Sequence, residues 1–139
     1  MKLLFAPLVL ACLIGSAAYA QDASSSMAPT SSAPAPQPVV ETWNTDEGGL
    51  MTLNVLPDSF EGKYENDNGR INGMLKDGVY TGFWGEDSSN QECAEEKLGT
   101  KYWGRIAFTF DTARKHFDGK WSYCDAEPGS GWTGDRADK

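Results

Sequence analysis

The side chains able to do chemistry are unevenly supplied in this chain of 139 residues. Twenty Asp and Glu face twelve Lys and Arg, with a single histidine, His116, and three cysteines, Cys12, Cys93 and Cys124. Carboxylates gathered in loops can hold calcium, steer a basic protein or ligand, or work in pairs as acid and base, for which Glu86 and Asp125 are the available example. They also occur simply as a solvated rim. The chain has no dense calcium loop of the EF-hand type, Gly-rich phosphate loop, zinc-ligand spacing or nucleophile elbow. The expectation is therefore no enzyme, no cofactor and no metal. His116 is expected on an outer face, beside a turn. The remaining candidates for a site are aromatic: Tyr64, Trp84, Trp121 and Trp132.

What must position them is a repeated five-residue phrase, large–x–Gly–x–large. It occurs as Phe60-Glu61-Gly62-Lys63-Tyr64, Ile71-Asn72-Gly73-Met74-Leu75, Tyr80-Thr81-Gly82-Phe83-Trp84 and Phe117-Asp118-Gly119-Lys120-Trp121, with a variant at Trp132-Thr133-Gly134-Asp135-Arg136. Residues i, i+2 and i+4 of a strand share a face, so each copy opposes a large–Gly–large face to a mostly polar one. Period-two alternation runs almost throughout, and helical periodicity is absent. The reading is eight strands, at about 41–45, 50–55, 59–65, 70–75, 79–85, 104–110, 116–123 and 131–136. Asp77-Gly78 is a two-residue hairpin signal and pairs Leu75 with Tyr80, Gly73 with Gly82 and Ile71 with Trp84. A four-residue loop at 66–69 pairs Tyr64 with Ile71 and Gly62 with Gly73. Further on, Phe108 falls opposite Gly119, and pairing Trp121 with Trp132 sets Gly119 opposite Gly134. The glycines then form a lateral row, which either lets the strands coil beneath covering rings or leaves room for a ligand at mid-height.

Short connections favour a sequential meander, and eight strands with inward aromatics suggest an all-β, antiparallel up-and-down barrel. In such a meander the start of the first strand and the end of the last share one end. Trp43 and Arg136 should therefore meet and close the barrel, a guanidinium over an indole. The connections at 46–49, 65–70, 85–104 and 123–131 share the other rim from those at 56–59, 76–79 and 111–116. The first group carries eleven of the twenty acids: Asp46, Glu47, Glu65, Asp67, Glu86, Asp87, Glu92, Glu95, Glu96, Asp125 and Glu127. It also carries Cys93 and Cys124, so a disulfide between them would pin the long connection.

The ends of the chain are of a different character. Met1-Lys2, an apolar run to Ile14 and Ala18-Tyr19-Ala20 read as a signal peptide over residues 1–20, cut before Gln21. The run is too short to span a bilayer. Val9-Leu10-Ala11-Cys12 offers a competing lipobox, with a lipid anchor at Cys12. Residues 21–38, rich in Ala, Ser and Pro, read as a disordered spacer, which leaves 39–139 for the barrel domain. Cleavage would remove one lysine and no acid, taking the formal charge from −8 to −9. That balance argues against nucleic acid and anionic membrane surfaces and permits a small-molecule or cationic protein partner. An even cysteine pair in an exported domain is most simply a disulfide, and the expected location is secreted or periplasmic.

The strand-one tryptophan with a basic residue on the last strand resembles the calycin group, the lipocalins, fatty-acid-binding proteins and avidins. Locally the chain is most similar to avidins, in Trp43-Asn44-Thr45-Asp46-Glu47-Gly48-Gly49, Met51-Thr52-Leu53 and Phe60-Glu61-Gly62-Lys63-Tyr64, about three strands. Tyr64 matches a ligand-contacting tyrosine of that family, whereas Gly49 and Thr45 stand where its pattern has serine and asparagine. The repeated phrase, ending in Trp-x-Gly-x-Arg, also resembles an uncharacterised bacterial secreted Gly/aromatic β-meander module, which implies no activity. The expected function is a non-catalytic exported binding domain. Its ligand enters at the acidic loop end toward Tyr64, Trp84, Trp121 and Trp132. The other reading is an envelope or extracellular interaction module whose barrel is filled, with outward Met74 and Phe83 as its contact.

Overall fold

The computed structural model describes residues 32–137. The expected signal peptide, the lipobox at Cys12 and spacer residues 21–31 lie outside the described residues. Within them the chain forms β1 (Val39–Thr45), β2 (Gly49–Val55), β3 (Ser59–Tyr64), β4 (Gly69–Lys76), β5 (Val79–Glu86), β6 (Tyr102–Phe110), β7 (His116–Trp121) and β8 (Ser130–Arg136). These make one closed antiparallel barrel in which each strand pairs with its sequence neighbours and β8 returns to β1. The architecture is the one the alternation implies, and it is compatible with a calycin-like barrel. The polar residues between the large ones face out, while Trp43, Met51, Leu53, Phe60, Ile71, Tyr80, Ile106, Phe108 and Phe117 fill the inside.

The Asp77-Gly78 hairpin has the expected register, with Leu75 on Tyr80, Gly73 on Gly82 and Ile71 on Trp84. Both turn residues take positive φ, 53° and 81°, as a tight hairpin twisting with its strands requires. Phe108 pairs with Gly119, also as expected. Two other registers differ by two residues. Tyr64 lies opposite Gly69 rather than Ile71, and Gly62 opposite Ile71. Trp132 lies opposite Gly119 rather than Trp121, and Phe117 opposite Gly134. The row of facing glycines therefore survives only at Gly73 and Gly82. Elsewhere a ring covers a glycine across the ladder: a Cβ on Gly69 would fall inside the Tyr64 ring, and one on Gly134 against Phe117. Matching ring to gap buries the aromatic and covers bare backbone at once, which two facing glycines cannot do. Mid-height space for a ligand is absent for the same reason. Phe108 stacks on Phe117 at 4.6 Å, and Trp43 packs edge-on to Phe110 and Phe117 at 5.0 and 5.5 Å.

The joint between β8 and β1 is short. Only Trp43 with Arg136, Asn44 with Asp135 and Thr45 with Gly134 are paired. The Arg136 guanidinium lies 5.5 Å from the Trp43 ring, the expected closure. A residue that alternation alone did not single out completes it. Glu41 is 4% exposed and accepts two hydrogen bonds from Arg114, at 2.8 and 2.7 Å, with Arg136 at 3.1 Å. Arg114 in turn covers Phe110, 4.3 Å from its ring. A carboxylate between two guanidiniums thus stops the end of the barrel remote from the acidic loops.

The long connection between β5 and β6 is tied down on the outside of the barrel. Cys93 and Cys124 are joined, with Cα atoms 5.6 Å apart. Under this connection lies Trp103, an outward residue only 1% exposed, whose indole donates to the Glu95 carbonyl at 2.7 Å. Lys97 sits over both Trp103 and Phe83, which pack edge to face. Phe83 is therefore half-buried rather than half of an exposed apolar pair, and Met74, 66% exposed, stands without it.

Two outcomes are expected. Burial pushes the Glu41 carboxyl up, but the hydrogen bonds and charge of Arg114, and then of Arg136, outweigh it and hold the group below its ordinary value of 4.5. A lowered native pKa contributes stability above the unfolded value, which is lost as pH falls through the native one. Glu41→Gln should lower stability at pH 7 by about 2 kcal/mol, less than for a wholly buried pair because both guanidiniums reach solvent. Urea titrations should show that deficit shrinking below pH 4.5. Replacing Cys93 and Cys124 together by serine frees a loop of 31 residues and should cost about 3 kcal/mol in the same assay.

Candidate functional site

At the acidic rim the rings no longer fill the barrel. A cavity of about 230 Å³ opens there, lined by Glu47, Tyr64, Asn66, Asp67, Trp84, Glu86, Ser89, Asn90, Trp121, Tyr123 and Trp132. All four aromatic residues singled out in the sequence line it. Trp84 and Trp132 come from the inner faces of β5 and β8, and Tyr64 and Trp121 from the ends of β3 and β7. Trp84, Trp121 and Tyr123 form one edge-to-face group with centroids 5.0 to 5.7 Å apart, and Tyr64 with Trp132 a second at 5.2 Å. Below them Phe108 meets Trp132 at 5.3 Å and closes the floor.

Most of the polar atoms on these rings are occupied. Trp84 Nε1 donates to the Ser122 carbonyl at 3.0 Å and Trp121 Nε1 to the Gly131 carbonyl at 3.2 Å. The Tyr64 hydroxyl donates to Glu86 Oε1 at 3.0 Å. The Trp132 indole N–H is buried without a partner. Burial pushes the Tyr64 hydroxyl well above its ordinary pKa, and the neighbouring charge of Glu86 adds to this. Burial likewise raises Glu86; hydrogen bonds from Tyr64 and Ser89 oppose the rise, and the charge of Asp67 reinforces it.

The eleven acids of this rim divide by role. Asp46 accepts from the Thr133 amide and hydroxyl at 2.7 and 2.9 Å and so clips the β1–β2 turn to β8. Glu65 accepts from the Leu50 amide at 3.0 Å. Asp87 pairs with Arg70, Glu127 with Arg105 and Glu92 with Lys101, at 2.8, 2.7 and 3.4 Å. Glu47, Asp67 and Glu86 line the cavity, and no Lys, Arg or His lines it with them. Among the described residues no group of three or more Asp, Glu, His or Cys side chains is gathered where a metal ion could sit. Asp125, the carboxylate the sequence pairs with Glu86, does not line the cavity.

Thr45 and Gly49, where the avidin pattern differs, serve the β1–β2 turn. Thr45 Oγ1 donates to the Gly49 carbonyl and accepts from the Gly48 amide, at 2.8 and 3.1 Å, and Gly49 takes a φ of 72°. Neither lines the cavity. His116 lies at the far end on the outer face, its Nδ1 donating to Asp135 at 2.7 Å, which raises its pKa. Sequence reasoning did not single out Tyr123, Asn66 or Asn90. Tyr123 was within reach, two residues beyond Trp121 on the same alternation. The two asparagines sit in turns, where a side chain's direction follows from tertiary contacts. No family model matches the chain, and neither a curated protein nor a solved structure matches it.

The raised pKa of Glu86 has a sign that can be measured. Stability from such a group is present below the unfolded value of 4.5 and lost as pH rises through the higher native one. Glu86→Gln, which keeps an acceptor for Tyr64, should therefore be more stable than the parent at pH 7, by about 0.5 kcal/mol. Paired thermal melts should show the gap closing toward pH 4.

Proposed function

We propose that this protein is a non-catalytic exported binding domain whose ligand seats in the aromatic cup at the acidic rim. The observation that carries this is the convergence of Tyr64, Trp84, Trp121 and Trp132 on one cavity at the end of a barrel that is otherwise packed with side chains. Ligand sites are concave and carry polar groups that orient the ligand, and this cup has Glu86, Asn66 and Asn90 among its walls. At about 230 Å³ it suits a small molecule or the head group of a larger one, not a buried chain of the fatty-acid type. A closed barrel with Arg136 over Trp43 supports a calycin-like kinship. The turn roles of Thr45 and Gly49 argue against carrying biotin recognition over from the avidins. The Cys93–Cys124 bond is compatible with an oxidising compartment outside the cytoplasm, in keeping with a leader over residues 1–20. No helix among the described residues is long and apolar enough to cross a membrane.

The interaction-module reading keeps one supporting observation, the packed lower interior. A thermal-shift screen of small metabolites separates the two. Binding to the folded state alone raises the melting temperature, by about 2.7 kcal/mol of stability at a hundredfold excess over Kd. Ligands of the cup should do so, should change the emission of the cavity tryptophans, and should lose both effects in Trp121→Ala. Hits that act undiminished on Trp121→Ala would overturn the cup as the binding site.

A further inference from the structure

We propose that the cup selects a small organic cation, a quaternary or trimethylated ammonium group held against the rings of Trp121 and Tyr123 and countered by Glu86, Asp67 and Glu47. This rests on the reading of the cup as a binding site and adds the class of its ligand.

Three independent features point the same way. The first is what the rings offer. Tyr64 and Trp84 are 5% and 3% exposed, so the ring surface open to the cup is that of the half-buried Trp121 and Tyr123, and the Trp121 indole N–H is already donated to a backbone carbonyl. An aromatic face attracts a cation through its quadrupole, and several rings around one methylated ammonium form the recurrent cage for that group.

The second is charge. Of the rim acids, those outside the cavity that meet a basic side chain are neutralised there, as Asp87 is by Arg70 and Glu127 by Arg105. The three that face the cavity have no such counterion on its walls. The negative charge of Asp67 acts directly against ionised Glu86. A bound cation relieves that repulsion, whereas an anion would aggravate it. Carboxylates near the rings, with no guanidinium or ammonium between them, leave the positive partner to come from outside.

The third is size. The cavity, about 230 Å³, falls below the roughly 300 Å³ at which pockets for drug-sized molecules begin. It can take a head group of a few carbons around nitrogen.

The test uses the full folded chain, titrated by calorimetry and tryptophan emission with choline, its neutral isostere 3,3-dimethylbutan-1-ol, glucose and acetate, at matched ionic strength. Choline should bind at least tenfold more tightly than the isostere, and glucose and acetate should not bind. Glu86→Gln should weaken choline about tenfold and leave the isostere unchanged. Trp121→Ala should weaken both, and Glu92→Gln, on the rim but outside the cavity, should weaken neither. Glu86→Gln is expected to fold at least as well as the parent, so a loss there is not a loss of structure. Equal binding of the isostere, or binding of glucose alone, through Trp121 would overturn the cation and leave the cup standing as a binding site. Choline binding indifferent to both Glu86→Gln and Trp121→Ala, or none of the four probes binding at 10-millimolar levels (about a hundredfold above ordinary cage affinities, on the order of 0.1 mM), would overturn the proposal outright.

Discussion

Everything in this barrel depends on the joint between its last strand and its first. The other seven strand pairs are each joined by five to seven register positions, whereas β8 meets β1 at three. A sheet that fails to close exposes two edges with unpaired backbone groups. Side chains on both sides of the short ladder compensate. Below it, Glu41 on β1 draws in Arg136 from β8 and Arg114 from the β6–β7 turn. Above it, Asp46 takes both polar groups of Thr133. The lower clasp is costly to desolvate and the charges must be satisfied together, so it specifies this closure against an open sheet more than it adds net stability.

That joint also explains where the cavity is. The Glu41 clasp seals one end and sets Arg114 and Arg136 on the aromatic column that rises through Phe110, Trp43 and Phe117 to Phe108. With the column filling the lower and middle barrel, an opening remains only where the rings stop and loops take over. The acidic loops converge there because an even-numbered meander returns every second connection to one rim. The site is thus a remainder of packing, walled by the aromatic residues nearest the acidic rim.

Strand identity was legible in the sequence because large–Gly–large alternation has a period that only a strand uses, and the Asp77-Gly78 turn fixed one hairpin without ambiguity. Both register slips arose at connections where the turn is less determined. Between β3 and β4, Asp67 and Asn68 adopt positive φ and tighten the loop into a 3₁₀ turn, which carries Gly69 under Tyr64. The choice between glycine-on-glycine and ring-on-glycine is made by packing across the ladder, which no single strand's alternation contains. Glu41 was hidden for a related reason. On its strand it occupies an inward position next to Trp43, but the basic residues that make such a burial tolerable come from turns and strands 73 and 95 residues away. The four cavity aromatics were legible since strand direction and loop assignment alone place them near one rim. Which acids face inward was not legible, because that depends on which of their neighbours are basic.

The contrast between two partly desolvated carboxylates bears on the proposed function. Glu41 and Glu86 are both removed from much of the solvent, yet the fold lowers the pKa of one and raises that of the other. Glu41 is met by two guanidiniums. Glu86 is met by a phenol, a serine and a second carboxylate's charge. A protein can readily place a cation opposite a carboxylate, as this one does with Lys or Arg at three other positions among its described residues. Where it omits one at a concave, ring-lined position, the unfavourable ionisation is retained in the free protein and becomes available on binding. A positively charged guest would recover it, and the same repulsion would reject anions; a neutral guest would recover nothing. On the proposed reading, the raised pKa of Glu86 and a preference for cations have one structural origin, a carboxylate removed from solvent at a cavity whose walls carry no basic side chain.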